Sequence, residues 1–367
     1  MMLNIPTGRR GEFLNTRMSY LKFRFTNTGA QTDSSCSFDY TASSIIERLE
    51  LYHGSNLLEQ IHGYNVLHSL LTDAMGSLEA QTNTGTILEG ISSKRDGQNG
   101  APGESIICCV PILSGIIGVG QEKYLPTGDA MTGDLRLELT LSNTNDGVVG
   151  EVSKALSWQV SEVELMLEFT QLNAEAARMI QMQNSSGYMI SFDTYAQYTN
   201  TVEAGATNAN ILIPARYSSL KTLYTVMRKQ SNIGKINVAT ISERLCNFVA
   251  GGQWYYSIGG KNVPTTPVKS TTETFAEFQK ALHAFGAMNA SSLMDKANWE
   301  TTTFAIGMDL ETLPHKSKLT ESGVNTLATN TYLICQFPNP AGPTHVATFA
   351  HYDGVLLIQN GICSVMF

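Results

Sequence analysis

The chain has 367 residues, is 42% hydrophobic and only 15% charged, and carries a formal net charge of −8. Its one basic cluster near a terminus is Arg9, Arg10 and Arg17, too sparse for the phosphate neutralisation that strong direct nucleic-acid binding requires. No run of 18 apolar residues can serve as a transmembrane helix, and the opening "MMLNIPTGRRGEF" lacks the apolar core of a secretory signal.

An average soluble protein has about 25% charged residues, so something else covers this surface. Ser, Thr, Asn, Gln and Gly take that role, and they favour turns, strands and polar loops. Two readings stay open from composition: a β-rich protein, or a subunit that buries much of its outside against copies of itself.

In chain order, the first clear signal is period two. "YLKFRF" sets Leu21, Phe23 and Phe25 against Tyr20, Lys22 and Arg24, as in a strand with one buried and one wet face. From Leu51, "LYHGSNLLEQIHGYNVLHSLLTDA" reads as strand, glycine turn at Gly54, strand and helix. Tyr64, Leu67, Leu71 and Ala74 then share one helix face. Ser77 to Gly103 is polar and Gly-rich and reads as a long loop.

"GDLRLELTLS" alternates Leu135, Leu137, Leu139 and Leu141 with Asp134, Arg136, Glu138 and Thr140, and Asn143 to Gly147 forms a turn cluster. "SEVELMLEF" alternates Val163, Leu165, Leu167 and Phe169 with Glu162, Glu164, Met166 and Glu168. "NAEAARMIQMQ" follows as a short helix with Asn173 as its N-cap. Near residues 180–190 the chain divides.

In the second part, "AGATNAN" around Gly205 is a loop. "SSLKTLYTVMRK" from Ser218 fits strand or helix by pattern, with its β-branched and aromatic residues favouring strand. From Trp254, "WYYSIGGKNVPTTPVKSTTETFAEFQKALHAF" repeats the earlier device: strand, glycine turn, strand and helix. Its helix face is Phe275, Phe278, Leu282 and Phe285, with Thr274 and Glu277 as a capping box. Few helices among alternating strands predict an all-β fold of antiparallel sandwiches, two similar domains in series.

Chemistry-bearing motifs are scarce. The six cysteines lie mostly among apolar neighbours without CxxC spacing, as buried free thiols do. The seven histidines form no HExxH, and no P-loop or GxSxG occurs. Gly251-Gly252 and Gly259-Gly260 fit hairpin turns better than a phosphate cradle. His53 and His62 flank a hairpin but lack a third metal ligand, and Glu162, Glu164 and Glu168 occupy a strand's solvated face. No enzyme, cofactor or metal is expected.

The order of these segments carries a resemblance. "IIERLELYHGSNLLEQIHGYNVLHSLL" (Ile45–Leu71), "VPILSGIIG" (Val110–Gly118), "KYLPT", "LRLELTLS" and "VELMLEFTQLNAEAARMIQ" (Val163–Gln181) come first. "LIPARYSSLKTLYTVMRK" (Leu212–Lys229), the Tyr255 hairpin with its helix, and "HVATFAHYDGVLLIQNGICSVMF" (His345–Phe367) follow. Together they resemble the double jelly-roll major capsid proteins of tailless DNA phages, virophages, polinton-like viruses and large eukaryotic DNA viruses. In the last segment Asp353-Gly354 stands where an Asn-containing turn is expected.

The resemblance implies an all-β chain with a few short helices and two eight-stranded jelly rolls in series, at 15–184 and 185–367, behind an N-terminal arm at 1–14. It implies a homotrimeric, pseudo-hexameric capsomer that tiles an icosahedral virion shell, assembled inside the host cell with penton and minor or cement proteins. Tyr64, Leu67, Leu71, Phe275, Phe278, Leu282 and Phe285 become candidates for locking domain edges during assembly. Arg9 and Arg10 become candidates for an inner arm that meets membrane or minor proteins. The rival class is a carbohydrate-binding β-sandwich, a lectin or viral attachment protein, with Trp254 and Tyr255 as its aromatic platform.

Overall fold

The computed structural model of the chain describes all residues except 78–79, 91–99, 144, 152, 185, 249–250, 288–291, 313–321 and 340–341. The first half contains β1 (Met2–Ile5), β2 (Glu12–Asn27), β3 (Cys36–Phe38), β4 (Ile46–His53), β5 (Asn56–His62), α1 (Tyr64–Met75) and α2 (Thr86–Glu89). It continues with β6 (Ser105–Pro111), α3 (Thr127–Ala130), β7 (Leu135–Leu141), β8 (Val148–Gly150), β9 (Trp158–Gln171) and α4 (Ala174–Gln183).

The second half contains β10 (Tyr188–Val202), β11 (Asn208–Ile213), β12 (Leu220–Lys229), β13 (Gln253–Ile258), β14 (Lys261–Val268), α5 (Thr271–Ala281) and α6 (Lys296–Trp299). It closes with β15 (Ile306–Asp309), β16 (Thr331–Gln336), β17 (Thr344–Gln359) and β18 (Ile362–Met366).

Every ladder is antiparallel. In the first half the sheets run β1-β7-β4-β5 and β6-β2-β9, with a small β3-β8 ribbon. In the second half they run β11-β16-β13-β14 and β10-β17-β12-β15, with β18 added beside β17. Matching strands in chain order, β1, β2, β4, β5, β6, β7 and β9 take the positions of β11, β12, β13, β14, β15, β16 and β17. A helix follows the hairpin in both, α1 after β5 and α5 after β14.

Alternation places the core. Leu21, Phe23 and Phe25 on β2 and Leu135, Leu137 and Leu139 on β7 are buried, while Arg136 and Glu138 pair in a salt bridge on the wetter face. In the second half the facing sheets meet through hydroxyls as well as apolar groups. Thr225 on β12 hydrogen-bonds Tyr256 on β13 of the facing sheet at 2.9 Å and Thr348 on β17, its neighbour in the same sheet, at 2.7 Å. The ambiguous segment from Ser218 is strand β12, buried on both faces from Leu220 to Arg228. A polar group buried this deeply must be paired within the protein.

The hairpin glycines serve as expected. Gly54 turns β4 into β5, and Gly259-Gly260, both at positive φ, turn β13 into β14, the backbone form a two-residue hairpin requires. Asn173 caps α4 by accepting from Ala176 N.

Several expectations need correction. Gly251-Gly252 are not a hairpin turn; they lead into β13. The capping box of α5 is Ser270 with Glu273, one turn earlier than Thr274 with Glu277. Both pairs have the required spacing, but β14 ends at Val268, so Ser270 is free to cap. Thr274, inside the helix, instead donates to Ser270 O and accepts from Trp254 Nε1 at 2.8 Å. The helix ends at Ala281 with Leu282 as C-cap, leaving Phe285 beyond it.

Asp353-Gly354 makes no turn. Both lie within the 16-residue β17, and the turn into β18 is Asn360-Gly361, again both at positive φ. Residues 1–14 do not extend as an arm, because β1 pairs with β7 and the Met1 ammonium donates to Leu139 O at 2.6 Å. The stretch 77–103 is not wholly loop: a helical turn at Ala80–Gly85 leads into α2, and residues 91–99 lie outside the described residues.

Candidate functional site: the seam between the two halves

The expected site residues do not form an outward surface. Tyr64, Leu67 and Leu71 on α1 are buried against the first half's own core, and the Tyr64 hydroxyl accepts from Leu113 N at 2.9 Å. Phe278 is fully buried, edge-on to Tyr224 with ring centroids 6.1 Å apart. Gly307 on β15 lets α5 approach, since a β-carbon there would come 2.7 Å from the Phe278 ring. Phe275 is half-buried, edge-on to Trp299 at 4.9 Å, and Leu282 is half-buried. Phe285 alone of this set is exposed, at 61%. The apolar helix faces were therefore legible, but their packing partner is the same chain.

Arg9 and Arg10 are exposed, and the Arg9 backbone N–H is held by Glu12 at 2.6 Å. They sit in a fixed connection between β1 and β2 and do not hang from a flexible arm. His53 and His62 end opposite sides of the β4–β5 hairpin, opposite Asn56 and Arg48 respectively, so the hairpin does not bring them together. Trp254 is buried, which removes it from any exposed aromatic platform. Among the described residues no group of three or more His, Cys, Asp and Glu is placed to hold a metal, and no helix is long and apolar enough to cross a membrane. All six cysteines are free thiols; burial pushes those of Cys36 and Cys108 up to about 11 and about 12.

What the fold brings together is a line of buried carboxylates between the halves. Asp39 accepts from Ile241 N at 2.6 Å and from Ser242 Oγ at 2.6 Å. Glu59 on β5 accepts from Thr194 Oγ1 on β10 at 2.6 Å, from Gly115 N at 2.8 Å and from Ser114 Oγ. Asp73 on α1 pairs with Arg244, whose second amine donates to Ser69 Oγ at 3.3 Å. Burial drives the Asp39 and Glu59 carboxyls above the usual carboxylate range, and the donors around them pull the other way. Each tether joins residues 135 to 203 positions apart, so each fixes the halves against one another at an internal, water-poor site. The signal for these residues in the sequence is weak: single charged residues set among apolar or hydroxyl-bearing neighbours.

Beside this seam lies a cleft of about 350 Å3 lined by Ile112, Leu113 and Gln121 from the first half and Phe192, Asp193 and Lys221 from the second. Lys221 Nζ is 2.9 Å from Asp193 Oδ1 and 2.7 Å from Asp353 Oδ1. Burial opposes the ammonium, but these carboxylates outweigh it and hold its pKa above the ordinary value. His351 stacks on Tyr195 at 4.7 Å, and burial together with Lys221 pushes it down to about 4. A fixed ion cluster and a neutral histidine lock side chains in place. Ser114, whose hydroxyl donates to Glu59, also lines this cleft.

No protein-family model matches the sequence, and no curated protein matches it by sequence. Solved structures do match by fold. The PBCV-1 virus capsid aligns over 100% of this chain and 92% of its own, at 12% identity and a TM-score of 0.68. The Faustovirus major capsid protein aligns over 98% and 87%, at 9% identity and 0.57. The mavirus major capsid protein aligns over 100% and 86%, at 7% identity and 0.51. The chain has the double jelly-roll fold of these capsid proteins.

Proposed function

We propose that this chain is a major capsid protein, a structural subunit that associates with copies of itself as a homotrimer and tiles an icosahedral virion shell. The observation that carries the proposal is the repeated strand order: two sandwiches with matching topology stand in one chain, rigidly tied. Three such chains present six similar domains around a three-fold axis, so one gene product supplies the near-equivalent contacts of a hexagonal tile. The proposed division between the domains, after residue 184, falls in the connection between α4 and β10. The low charge fits extensive self-contact, since obligate interfaces bury more than about 2,000 Å2 with apolar centres.

The chain's role is architectural, and its location is the virion after assembly inside the host cell. Penton and minor or cement proteins are the expected further partners, and a membrane beneath the shell is a further contact. Arg9 and Arg10 are surface charges available to either. Phe285 and the exposed face of α4 replace the buried helix faces as assembly candidates.

Purified protein examined by light scattering and electron microscopy tests the reading. Trimers of three-lobed, pseudo-hexagonal outline and their sheets or shells are expected. A stable monomer at high concentration that never forms such particles would defeat it. A carbohydrate-binding sandwich would instead give small discrete oligomers and measurable glycan binding; Trp254 is buried and so cannot join Tyr255 in an exposed platform.

A further inference from the structure

The cleft between the halves holds more hydrogen-bonding capacity than the protein uses. Its walls come from residues 112–123 of the first half and from β10, β12 and β17 of the second. At about 350 Å3 it falls within the range of small-molecule sites. Most of its polar groups are spent on the protein itself. The Ser114 hydroxyl donates to Glu59. The Gln121 amide donates to Gly115 O at 2.9 Å and accepts from Lys123 N at 3.0 Å. Asp353 accepts from Ser219 Oγ at 2.6 Å through one oxygen and from Lys221 Nζ at 2.7 Å through the other.

Asp193, Tyr195 and His351 stand apart from this. Asp193 Oδ1 accepts from Lys221 at 2.9 Å, whereas its Oδ2 lies 3.8 Å from His351 Nε2, beyond hydrogen-bond length. Tyr195 stacks on the His351 ring. Its hydroxyl has no hydrogen-bond partner among the described residues, although burial drives its pKa well above the ordinary value. A buried polar group is normally paired, so these atoms mark where a bound group would sit.

Charge at the site is unbalanced as well. Lys221 alone faces Asp193 and Asp353 together, while His351, pushed down to about 4, is neutral near pH 7. Glu311, 3.8 Å from Lys221, has His283 Nε2 at 3.1 Å as its own neighbour. Glu122 and Lys123 on the lining are exposed and of opposite sign. Burial raises the Asp353 carboxyl above its ordinary range and contact with Asp193 adds to this, against the pull of Lys221 and Ser219. The Lys221 ammonium is engaged by carboxylates, which leaves it nothing to offer an anion. Among the described residues no three His, Cys, Asp or Glu side chains converge to hold a metal.

We propose that this cleft binds a small organic cation, a primary alkylammonium, whose charged end donates to Asp193 Oδ2, His351 Nε2 and the Tyr195 hydroxyl while its chain lies along Ile112, Leu113 and Phe192. A primary ammonium carries three N–H donors, and two acceptors 3.8 Å apart can share one nitrogen. Its charge offsets the surplus carboxylate in a partly dehydrated site, where Coulomb attraction exceeds that in water. The walls belong to both halves, so the bound cation stabilises the folded chain by mass action. This assignment goes beyond the architectural role and does not depend on it.

The test uses the isolated chain at neutral pH and n-butylammonium chloride as the probe. Calorimetric titration should saturate, and the melting temperature should rise with probe concentration. 1-Butanol, of equal length without the charge, should bind at least tenfold more weakly, and potassium chloride at matched ionic strength should leave the melting temperature unmoved. Asp193→Asn should weaken butylammonium binding at least tenfold. Tyr195→Phe, which keeps the ring stacked on His351, should weaken it severalfold and decides alone if Asp193→Asn fails to fold. Absence of saturation overturns the proposal, as does an equal response to potassium chloride or undiminished affinity in a folded variant. Equal binding of 1-butanol would do the same, by assigning the cleft to apolar contacts only.

Discussion

Phe192 on β10 lies directly across the ladder from Gly354 on β17, and its ring covers the glycine's bare backbone. A β-carbon at 354 would come 2.7 Å from Phe192 Cζ. The Asp353-Gly354 pair, turn-like in sequence, is therefore a packing device inside a long strand. Gly354→Val should cost about 1–3 kcal/mol by overpacking. Thermal unfolding of the purified chain checks this, and a melting temperature equal to the parent's would refute the account.

Asp73 and Arg244 form a pair in which both side chains are almost wholly buried. Removing one partner leaves a buried charge, so Asp73→Ala should destabilise by about 3–5 kcal/mol. The double variant Asp73→Leu with Arg244→Met should recover most of that loss. Denaturant titration of the three proteins measures the coupling. Additive losses in the double variant would show that the pair itself is not the cause.

His351 titrates near 4 in the folded chain and near 6.5 when exposed. The unfolded chain therefore binds a proton that the folded chain refuses, and stability falls as pH drops from about 6.5 to 4. A contribution of about 2–3 kcal/mol is expected across that window for a shift of this size. His351→Gln should flatten the pH dependence of unfolding there while leaving the value at pH 8 little changed. An unaltered slope would remove His351 as the responsible group.

Ser270 caps α5 and Glu273 reaches back to the Ser270 and Lys269 N–H groups. Ser270→Ala should cost about 1 kcal/mol. Glu277→Gln tests the rejected box: Glu277 pairs with Lys280 at the surface, so its change should leave stability near the parent value. The reverse ranking in thermal unfolding would restore the Thr274–Glu277 assignment.

Phe278 and Phe285 separate folding from assembly. Phe278 is fully buried, so Phe278→Ala should lower the isolated subunit's stability by about 3–5 kcal/mol. Phe285 is 61% exposed, so Phe285→Ala should leave subunit stability unchanged and weaken only association, read by light scattering against concentration. A Phe285→Ala subunit that both melts and assembles like the parent would remove this residue from the interface.

The strands and the repeated hairpin-helix device are legible in the residues alone, because both are short-range patterns. Leu135 to Leu141 alternates with the two-residue period of a pleated strand, and Tyr64, Leu67 and Leu71 mark one face of a helix. Gly54 and Gly259-Gly260 announced their hairpins because positive φ is costly for other residues. Local chemistry could not choose between two capping boxes with identical spacing, nor tell that Gly354 serves a facing ring.

Where the helix faces are used and which charges go inside depend on contacts between segments far apart in the chain. The face of Phe278 packs on β12 and β15 of its own half; periodicity records that a face is apolar, not what covers it. Lys221, Asp73 and Arg244 are buried because strands and helices distant in sequence arrive with opposite charges and donors in reach. Pairing is a relation between segments far apart in the chain, so the pattern of one strand does not contain it.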